Sequence, residues 1–252
     1  MEESLNNIEH KVKQNSPIYQ IYYQRYPLAF RFGSYHALIR ALTIRHLVQR
    51  LYRHSALHEQ TFTRLQRTRD LIRQLIYFDQ YSNEYKQAIK QINQAHQGVN
   101  ANNEDFLYVL STFFLEPIRW NQQYERRSIT DNDKQLLIDF WCNVATEMHI
   151  NQLPESLSDW ENYQKSYESH HQSYSSEGQH IALESLQQVP KLALPVGLQG
   201  MARQLLLSTM DPAVQSCLGL PSARLPLKYI IPVLNKTKSF VRKTNPNHVY
   251  TG

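Results

Sequence analysis

The residues of this chain with the clearest chemical potential begin with a histidine at the end of a predicted helix. In "QAIKQINQAH" (87–96), Ile89, Ile92 and His96 recur at spacings of three and four, so His96 ends an apolar helical face. An imidazole in such a place is either a hydrogen-bonded core residue or a ligand for a metal or cofactor. The spacing alone leaves both interpretations open.

The preceding predicted helix, "RLQRTRDLIRQLIYF" (64–78), adds three polar side chains. Thr68 falls on its apolar face, Arg64 lies one turn earlier, and Arg67 is adjacent. A guanidinium directed toward a core needs an anion or a carbonyl, because an unpaired buried charge is very costly. The short connection "DQYSNEY" makes the two helices antiparallel, which returns His96 to the level of Arg64 and Thr68. This group is either a ligand site or a structural arginine–carboxylate pair with a bonded histidine, and spacing favours the structural interpretation.

Other histidine spacings have simpler explanations. His54 and His58 lie one helical turn apart, as two metal ligands would, but no third ligand accompanies them. A solvated basic helix end is the preferred interpretation. The Glu-x-x-His matches at 168–171 and 177–180 have di-iron spacing, which helical bundles place on two separate helices. Both copies fall in one Ser-rich segment here, so chance explains them.

Helices must position these side chains, because helical periodicity dominates the chain and no segment alternates with period two. Residues 34–54, 61–77 and 82–98 are predicted helices. A nearly all-round apolar helix follows "NNED" and is expected to end at Pro117. The sequence therefore predicts an all-α fold: a single multi-helix globular domain at 30–252, after an N-terminal approach segment at 1–29.

Capping residues support this interpretation along the chain. The predicted helix starts are Ser82, the capping box from Thr130 to Asp133, the box from Ser156 to Asp159, and Asp211 followed by Pro212.

Composition excludes several classes of protein. The net charge of +5 comes from 27 basic and 22 acidic residues that are scattered, so a nucleic-acid-binding stripe is absent from the sequence. Cys142 and Cys217 stand far apart, which excludes a disulfide framework. The N-terminus lacks an apolar signal core, and no apolar run reaches transmembrane length. A cytoplasmic protein with no transmembrane segment is the expectation.

The order of short motifs resembles a known family. The motifs R-x-x-R-T, H-Q-x-V, N-x-E-D-F-L-Y-V-L-x-T, L-x-D-F-W and L-P-E-S are similar to those of the MpaB-type oxygenase and rubber oxygenase (latex clearing protein) catalytic domain. The resemblance runs from about Phe30 to about residue 240, and "LLLSTMDPAVQSCLGLP" resembles the C-terminal helices of the family.

This resemblance implies an all-α domain that holds one b-type haem in a buried pocket between core helices. His96 matches the proximal iron ligand. Arg64, Arg67 and Thr68 match the distal motif and are the candidate catalytic residues. Thr68 is expected to donate a hydrogen bond, and Arg64 or Arg67 to contact bound oxygen or a haem propionate.

The implied function is oxidation or oxidative cleavage of an apolar, isoprenoid-type substrate by haem-activated dioxygen. The sequence departs from the family pattern twice. Arg67 replaces a lysine that can cap the iron, and Leu110 stands where many relatives carry a second histidine. The alternative is therefore a non-catalytic helical protein that binds haem or another hydrophobic ligand.

Overall fold

The chain is helical wherever its structure is described. The computed structural model describes residues 16–53, 59–97, 99, 101–193, 195–224 and 227–230, without the side chains of 51–53, 59–65, 192–193, 228 and 230. Within these ranges there is no strand, and a single isolated bridge joins Ile44 to Gln172. The predicted all-α class is confirmed.

A short helical segment opens the described chain, with an α-helical turn at Pro17–Tyr19 and a π-helix at Gln20–Arg25. The helices that follow are α1 (Pro27–Ala41), α2 (Arg45–Arg53), α3 (Glu59–Tyr77), α4 (Asn83–Gln97), α5 (Asn103–Tyr124), α6 (Asp131–Glu147), α7 (Leu157–His171), α8 (Ser176–Ala193), α9 (Val196–Ser208) and α10 (Pro212–Cys217), and a 3₁₀ turn covers Leu227–Ile230. In the described chain, none of these helices combines the length and apolarity needed to cross a bilayer.

The predicted helix at 34–54 is wrong, because the structure divides it into α1 and α2. The break has a local cause. The Thr43 hydroxyl donates to the carbonyl oxygen of Arg40 at 2.7 Å, and the Thr43 carbonyl accepts from the backbone N–H of Ser173 at 3.0 Å. Ile44 forms the bridge at the same place. These contacts take the backbone groups that a continuous helix would use.

The expected end of α5 at Pro117 is also wrong, because the helix continues to Tyr124. Close packing against α1 accompanies this exception. A Cβ atom on Gly33 of α1 would lie 2.3 Å from Cα of Pro117 and 2.5 Å from its nitrogen. The two helices therefore touch through backbone, and this packing holds α5 together where proline removes a hydrogen bond.

The capping predictions hold with one exception. Ser82, Ser156 with Asp159, and Asp211 all accept the expected backbone hydrogen bonds. Thr130 accepts from the N–H of Asp133 at 3.2 Å, but its own N–H donates to the hydroxyl of Tyr26 at 3.4 Å. The Asp133 carboxylate meets Arg25 and Tyr26 instead, so only half of that predicted box forms.

Two apolar clusters make up most of the core. The larger one joins the opening segment and the start of α1 to α3–α7, and its fully buried residues include Tyr26, Phe114, Trp141 and Trp160. The smaller one joins the C-terminal half of α1 to α8–α10. Because α1 and α5 pack closely, they hold the two clusters together.

A buried ion cluster lies beside this helix pair. Arg40, in the last turn of α1, is only 6% exposed. Its Nε lies 2.9 Å from Oε1 of Glu116, and its Nη1 lies 2.9 Å from Oε2 of Glu168. The other terminal nitrogen pairs with Asp211. One guanidinium therefore joins α1 to α5, to α7 and to the start of α10.

Charge and hydrogen bonds around Arg40 keep it ionised. Burial lowers the pKa of Arg40, but the three carboxylates more than offset this, so its pKa lies above the ordinary value. Tyr108 donates to Oε1 of Glu168 at 2.9 Å, and Arg119 lies 2.7 Å from Oε1 of Glu116. The carboxylates of Glu168 and Glu116 thus each have a second partner besides Arg40.

We expect Arg40→Met to lower the free energy of unfolding by about 3–5 kcal/mol, because it leaves buried carboxylates without their shared cation. Urea denaturation would measure the loss. Arg69→Met is the matched control, since Arg69 is 51% exposed and, among the described residues, its only ion pair is with Asp70. That change should stay within about 0.5 kcal/mol. A loss of less than about 1 kcal/mol for Arg40→Met would contradict the role of the cluster.

Gly33→Ala should destabilise the protein by about 1–3 kcal/mol, because its methyl group meets the backbone of Pro117. Gly200→Ala provides the control within helix α9, where an added Cβ meets nothing within 4 Å. There, alanine should stabilise by about 0.5–1 kcal/mol. Thermal melts of both variants would give the signs, and equal effects would argue against the close contact of α1 with α5.

Candidate functional site

His96 lies in the last turn of α4 and is half-buried. Its ring packs on Phe106 of α5, with centroids 4.9 Å apart and an interplanar angle of 50°. No hydrogen bond to the ring occurs within the described structure, so the hydrogen-bonded core histidine considered above is not observed. Burial lowers the pKa of His96 below its ordinary value of 6.5, which keeps the imidazole neutral at pH 7. A neutral imidazole offers a nitrogen lone pair to a ligand.

His96 opens onto a cavity of about 610 Å³ between α4, the start of α5 and the end of α6. We call this cavity the His96 cleft. It is lined by Lys86, Ile89, Lys90, Asn93, Gln94, His96, Gln97, Phe106, Glu147, Met148 and His149. Its volume lies in the range of small-molecule and cofactor sites, about 300–1,000 Å³. Most of these residues are exposed or half-buried, so the cavity is an open cleft.

The cleft combines an apolar floor with a basic edge. Ile89, Phe106 and Met148 supply the apolar surface. Lys86 and Lys90 lie one helical turn apart on α4, and neither forms an ion pair with any described residue. An amphipathic ligand with acidic groups fits such a lining.

A hydrogen bond fixes the two walls of the cleft. The side-chain amide of Asn93 on α4 donates to the carbonyl oxygen of Glu147 at 3.0 Å. Glu147 is the last residue of α6, where carbonyl groups lack helical partners. Asn93 therefore caps α6 from the neighbouring helix and sets the width of the cleft.

The arginine and threonine motif lies outside this cleft. Arg67 and Thr68 are exposed on α3, and neither is among the residues that line the cavity. The prediction that Thr68 faces the core is wrong, because the buried face of α3 is formed further along, by Leu75 and Ile76. The side chain of Arg64 falls outside the described set.

The helix bounds agree with the prediction that His96 on α4 and Arg64 on α3 lie at the same distance from the connection between the two helices. His96 lies thirteen residues after the start of α4 at Asn83, and Arg64 lies thirteen residues before the end of α3 at Tyr77. At 1.5 Å per residue, both are about 20 Å from the connection between the helices. The antiparallel pair thus brings their backbones level, although Arg67 and Thr68 do not reach the cleft.

The motif order and the all-helical fold agree with the comparison to known families. Residues 24–235 match the model of the family described as "ER-bound oxygenase mpaB/B'/Rubber oxygenase, catalytic domain". The chain belongs to this family. Its membership of a family of oxygenase catalytic domains confirms the resemblance drawn from the motifs. A search of curated proteins found no match.

Leu110 is the second departure from the family pattern that the motif resemblance implied. It is 4% exposed and belongs to the larger apolar cluster, and it is not among the cleft-lining residues. The side chain at position 110 therefore packs in the core and brings no acid–base group to the cleft.

A second polar centre escaped the sequence analysis. Asp105, which appeared there only within "NNED" and the N-x-E-D motif, is buried and accepts from His46 at 2.7 Å, from Arg50 at 2.6 Å and from Tyr167. Burial raises the pKa of Asp105. These hydrogen bonds and the one from the backbone N–H of Asn102 lower it by more, so the pKa of Asp105 lies below its ordinary value of 3.8. No periodicity connects these positions, which are distant in sequence.

The described residues contain no group of three or more His, Cys, Asp or Glu side chains suited to a metal ion. His54 and His58 lie outside the described residues. Glu168, from the first Glu-x-x-His match, is occupied by Arg40 and Tyr108. A metal in this part of the protein would therefore have at most two such side chains as ligands, and His96 is one candidate.

We expect the folded-state pKa of His96 to lie below 6.5, because burial disfavours the imidazolium. The folded protein then binds this proton at lower pH than the unfolded chain. The stability that the neutral His96 ring contributes is therefore fully present above pH 6.5 and is lost as the pH falls toward the folded-state pKa. NMR titration of the imidazole signals, assigned with His96→Gln, would measure it. A pKa at or above 6.5 would contradict the burial of the ring.

Proposed function

We propose that this protein is a haem b-dependent oxygenase that uses dioxygen to oxidise or cleave an apolar, isoprenoid-type substrate. The observation that carries the proposal is the neutral imidazole of His96 at a cleft of about 610 Å³, in a chain that belongs to an oxygenase family. This ring makes no hydrogen bond with any described residue. The resemblance implies both the haem and the substrate. The neutral imidazole of His96 in the cleft supports the haem.

The lining of the cleft is mostly polar and exposed and includes the carboxylate of Glu147, and only some of its residues suit a haem. Iron in haem needs one side-chain ligand from the protein rather than a cluster, and His96 offers a neutral nitrogen. Phe106 packs on the ring and restricts its orientation. Lys86 and Lys90, which form no ion pair with any described residue, give two cations for the propionates, while Ile89 and Met148 give apolar surface for the macrocycle.

When bound, haem supplies the activation of dioxygen, and the protein supplies binding, orientation and polarity. In this proposal His96 holds the iron, and Lys86 and Lys90 anchor the acidic edge. The resemblance assigns Arg64, Arg67 and Thr68 to the distal side. Arg67 and Thr68 are exposed on α3 and do not line the His96 cleft, so this assignment is supported by the resemblance alone.

One observation favours a second candidate function. According to the family resemblance, Leu110 places an apolar side chain in the core where many relatives carry histidine. A non-catalytic member that binds haem would have this property. Oxygen consumption by the haem-loaded protein, supplied with polyisoprene or a carotenoid, distinguishes the two functions.

We expect His96→Ala to lose stoichiometric haem binding or to retain a weak site with an altered spectrum, because the iron loses its protein nitrogen. Wild type and variant would be titrated with haem and compared by Soret absorbance and by thermal melting. The fold should survive, since the ring makes no hydrogen bond in the described structure. His170→Ala is the control, because His170 is an exposed histidine of α7 and lies outside the cleft.

Two outcomes would overturn parts of this proposal. An unaltered Soret band at full occupancy in His96→Ala would remove His96 as the ligand. Failure of wild type to take up haem would remove the cofactor. Thr68→Ala adds a separate arm, which should keep haem content but change carbon monoxide affinity. An unchanged affinity would leave Thr68 with no role at the haem.

A further inference from the structure

Exposed apolar side chains are concentrated at the start of α9. Seven large apolar side chains are exposed in the described chain, and three of them, Val196, Leu198 and Met201, lie within the first six residues of this helix. A fourth, Tyr229, lies on the 3₁₀ turn that packs against α9. Single exposed apolar residues are common on protein surfaces, but a group of them marks an interaction site. We call residues 195–201 the α9 tip.

The α9 tip stands clear of the body of the protein. Val196 is 85% exposed, and a Cβ atom added to Gly197 or Gly200 would meet nothing within 4 Å. The second half of α9, by contrast, is held in the smaller apolar cluster by Leu206 and Leu207. One end of the helix is therefore anchored in the core, and the other presents exposed apolar side chains.

Basic residues flank the α9 tip. In the sequence no charged residue occurs between Lys191 and Arg203, and both of these side chains are exposed. Arg224 is exposed as well, and its backbone N–H donates to the side chain of Gln204 on α9 at 2.7 Å, which places its backbone beside the helix. The three basic side chains form no ion pair with any described residue.

The excess positive charge of the chain is concentrated in the same part of the sequence. Residues 185–252 contain eight Lys or Arg and one Asp or Glu, whereas residues 1–184 contain 19 and 21. The one acidic residue, Asp211, is already paired with the buried Arg40. The charge is thus less evenly scattered than the composition alone indicates.

We infer that the α9 tip docks on the surface of a bilayer that contains anionic phospholipids. Its apolar side chains enter the boundary between headgroups and acyl chains, and the flanking lysine and arginines contact lipid phosphates. This partner suits the tip better than RNA, whose phosphates would use the charge but whose bases stack on aromatic rather than aliphatic side chains. The inference goes beyond the proposed function and does not depend on the haem.

Flotation with lipid vesicles tests the docking surface. Wild type should bind vesicles of phosphatidylcholine with about one-third phosphatidylserine, and should bind pure phosphatidylcholine at least about fivefold more weakly. Leu198→Ser combined with Met201→Ser should weaken binding at least about tenfold, because both apolar side chains are lost from the interface. Tyr81→Ser is the matched control, since Tyr81 is 76% exposed and lies between α3 and α4. It should bind as wild type does, and thermal melts should show that all variants fold.

Charge variants test the flanking arginines. Arg203→Gln and Arg224→Gln should each weaken binding to the anionic vesicles about fivefold, because each removes one cation near the lipid phosphates. Arg69→Gln is the control, since Arg69 is an exposed arginine of α3. Its binding should equal that of wild type.

Tryptophan emission reports whether the tip itself enters the bilayer. Trp120, Trp141 and Trp160 are at most 2% exposed, so their emission should not change when vesicles are added. Val196→Trp places a new indole on the tip, and its emission should shift to shorter wavelength with the anionic vesicles. Tyr81→Trp should show no such shift.

Three results would overturn the inference. The first is a wild type that does not bind the anionic vesicles. The second is equal binding by the double variant at Leu198 and Met201, which would show a contact through charge alone. The third is a shift in the emission of Val196→Trp that depends on protein concentration and not on vesicles, which would assign the tip to a second copy of the chain.

Discussion

The fold depends on the pairing of one buried positive charge. Arg40 is almost fully removed from solvent and is neutralised by carboxylates from α5, α7 and the first residue before α10. An unpaired charge in that place would be very costly, so these elements cannot shift independently. Asp211 also caps α10, which couples the position of that helix to the same guanidinium.

This constraint reaches the site through α5. The helix carries Glu116 in the ion cluster and Phe106 against the ring of His96. Next to Glu116, Gly33 of α1 meets the backbone of Pro117, so α5 has little freedom to slide. At its start, Asp105 binds His46 and Arg50. The position of Phe106, and hence of the wall of the cleft that holds His96, follows from contacts far from the cleft.

Local signals in the sequence predicted much of the fold. Apolar periodicity located α3 and α4 within two residues of their observed bounds, and capping residues marked the starts of α7 and α10. The errors arose where tertiary contacts overrode local preference. Thr43 and Ile44 divide a predicted helix, because they contact the first residues of the connection between α7 and α8. Pro117 is tolerated within α5 because α1 packs on it. Neither partner is visible from spacing.

The site was predictable in part. The motif order indicated the family, and the stripe that ends at His96 indicated a histidine of interest. Periodicity could not show that Thr68 is exposed, because it gives the relative faces of a helix and not what covers each turn. The ion cluster of Arg40 was invisible for a related reason, because its partners lie on other elements.

Chemical rescue tests the central claim, that His96 binds iron, most directly. His96→Gly would be loaded with ferric haem and titrated with free imidazole, with His170→Gly treated in parallel. Our account predicts a saturable return of the wild-type Soret band in His96→Gly, since imidazole replaces the missing ring, and no response in the control. A wild-type spectrum in His96→Gly before imidazole is added would contradict the assignment of His96.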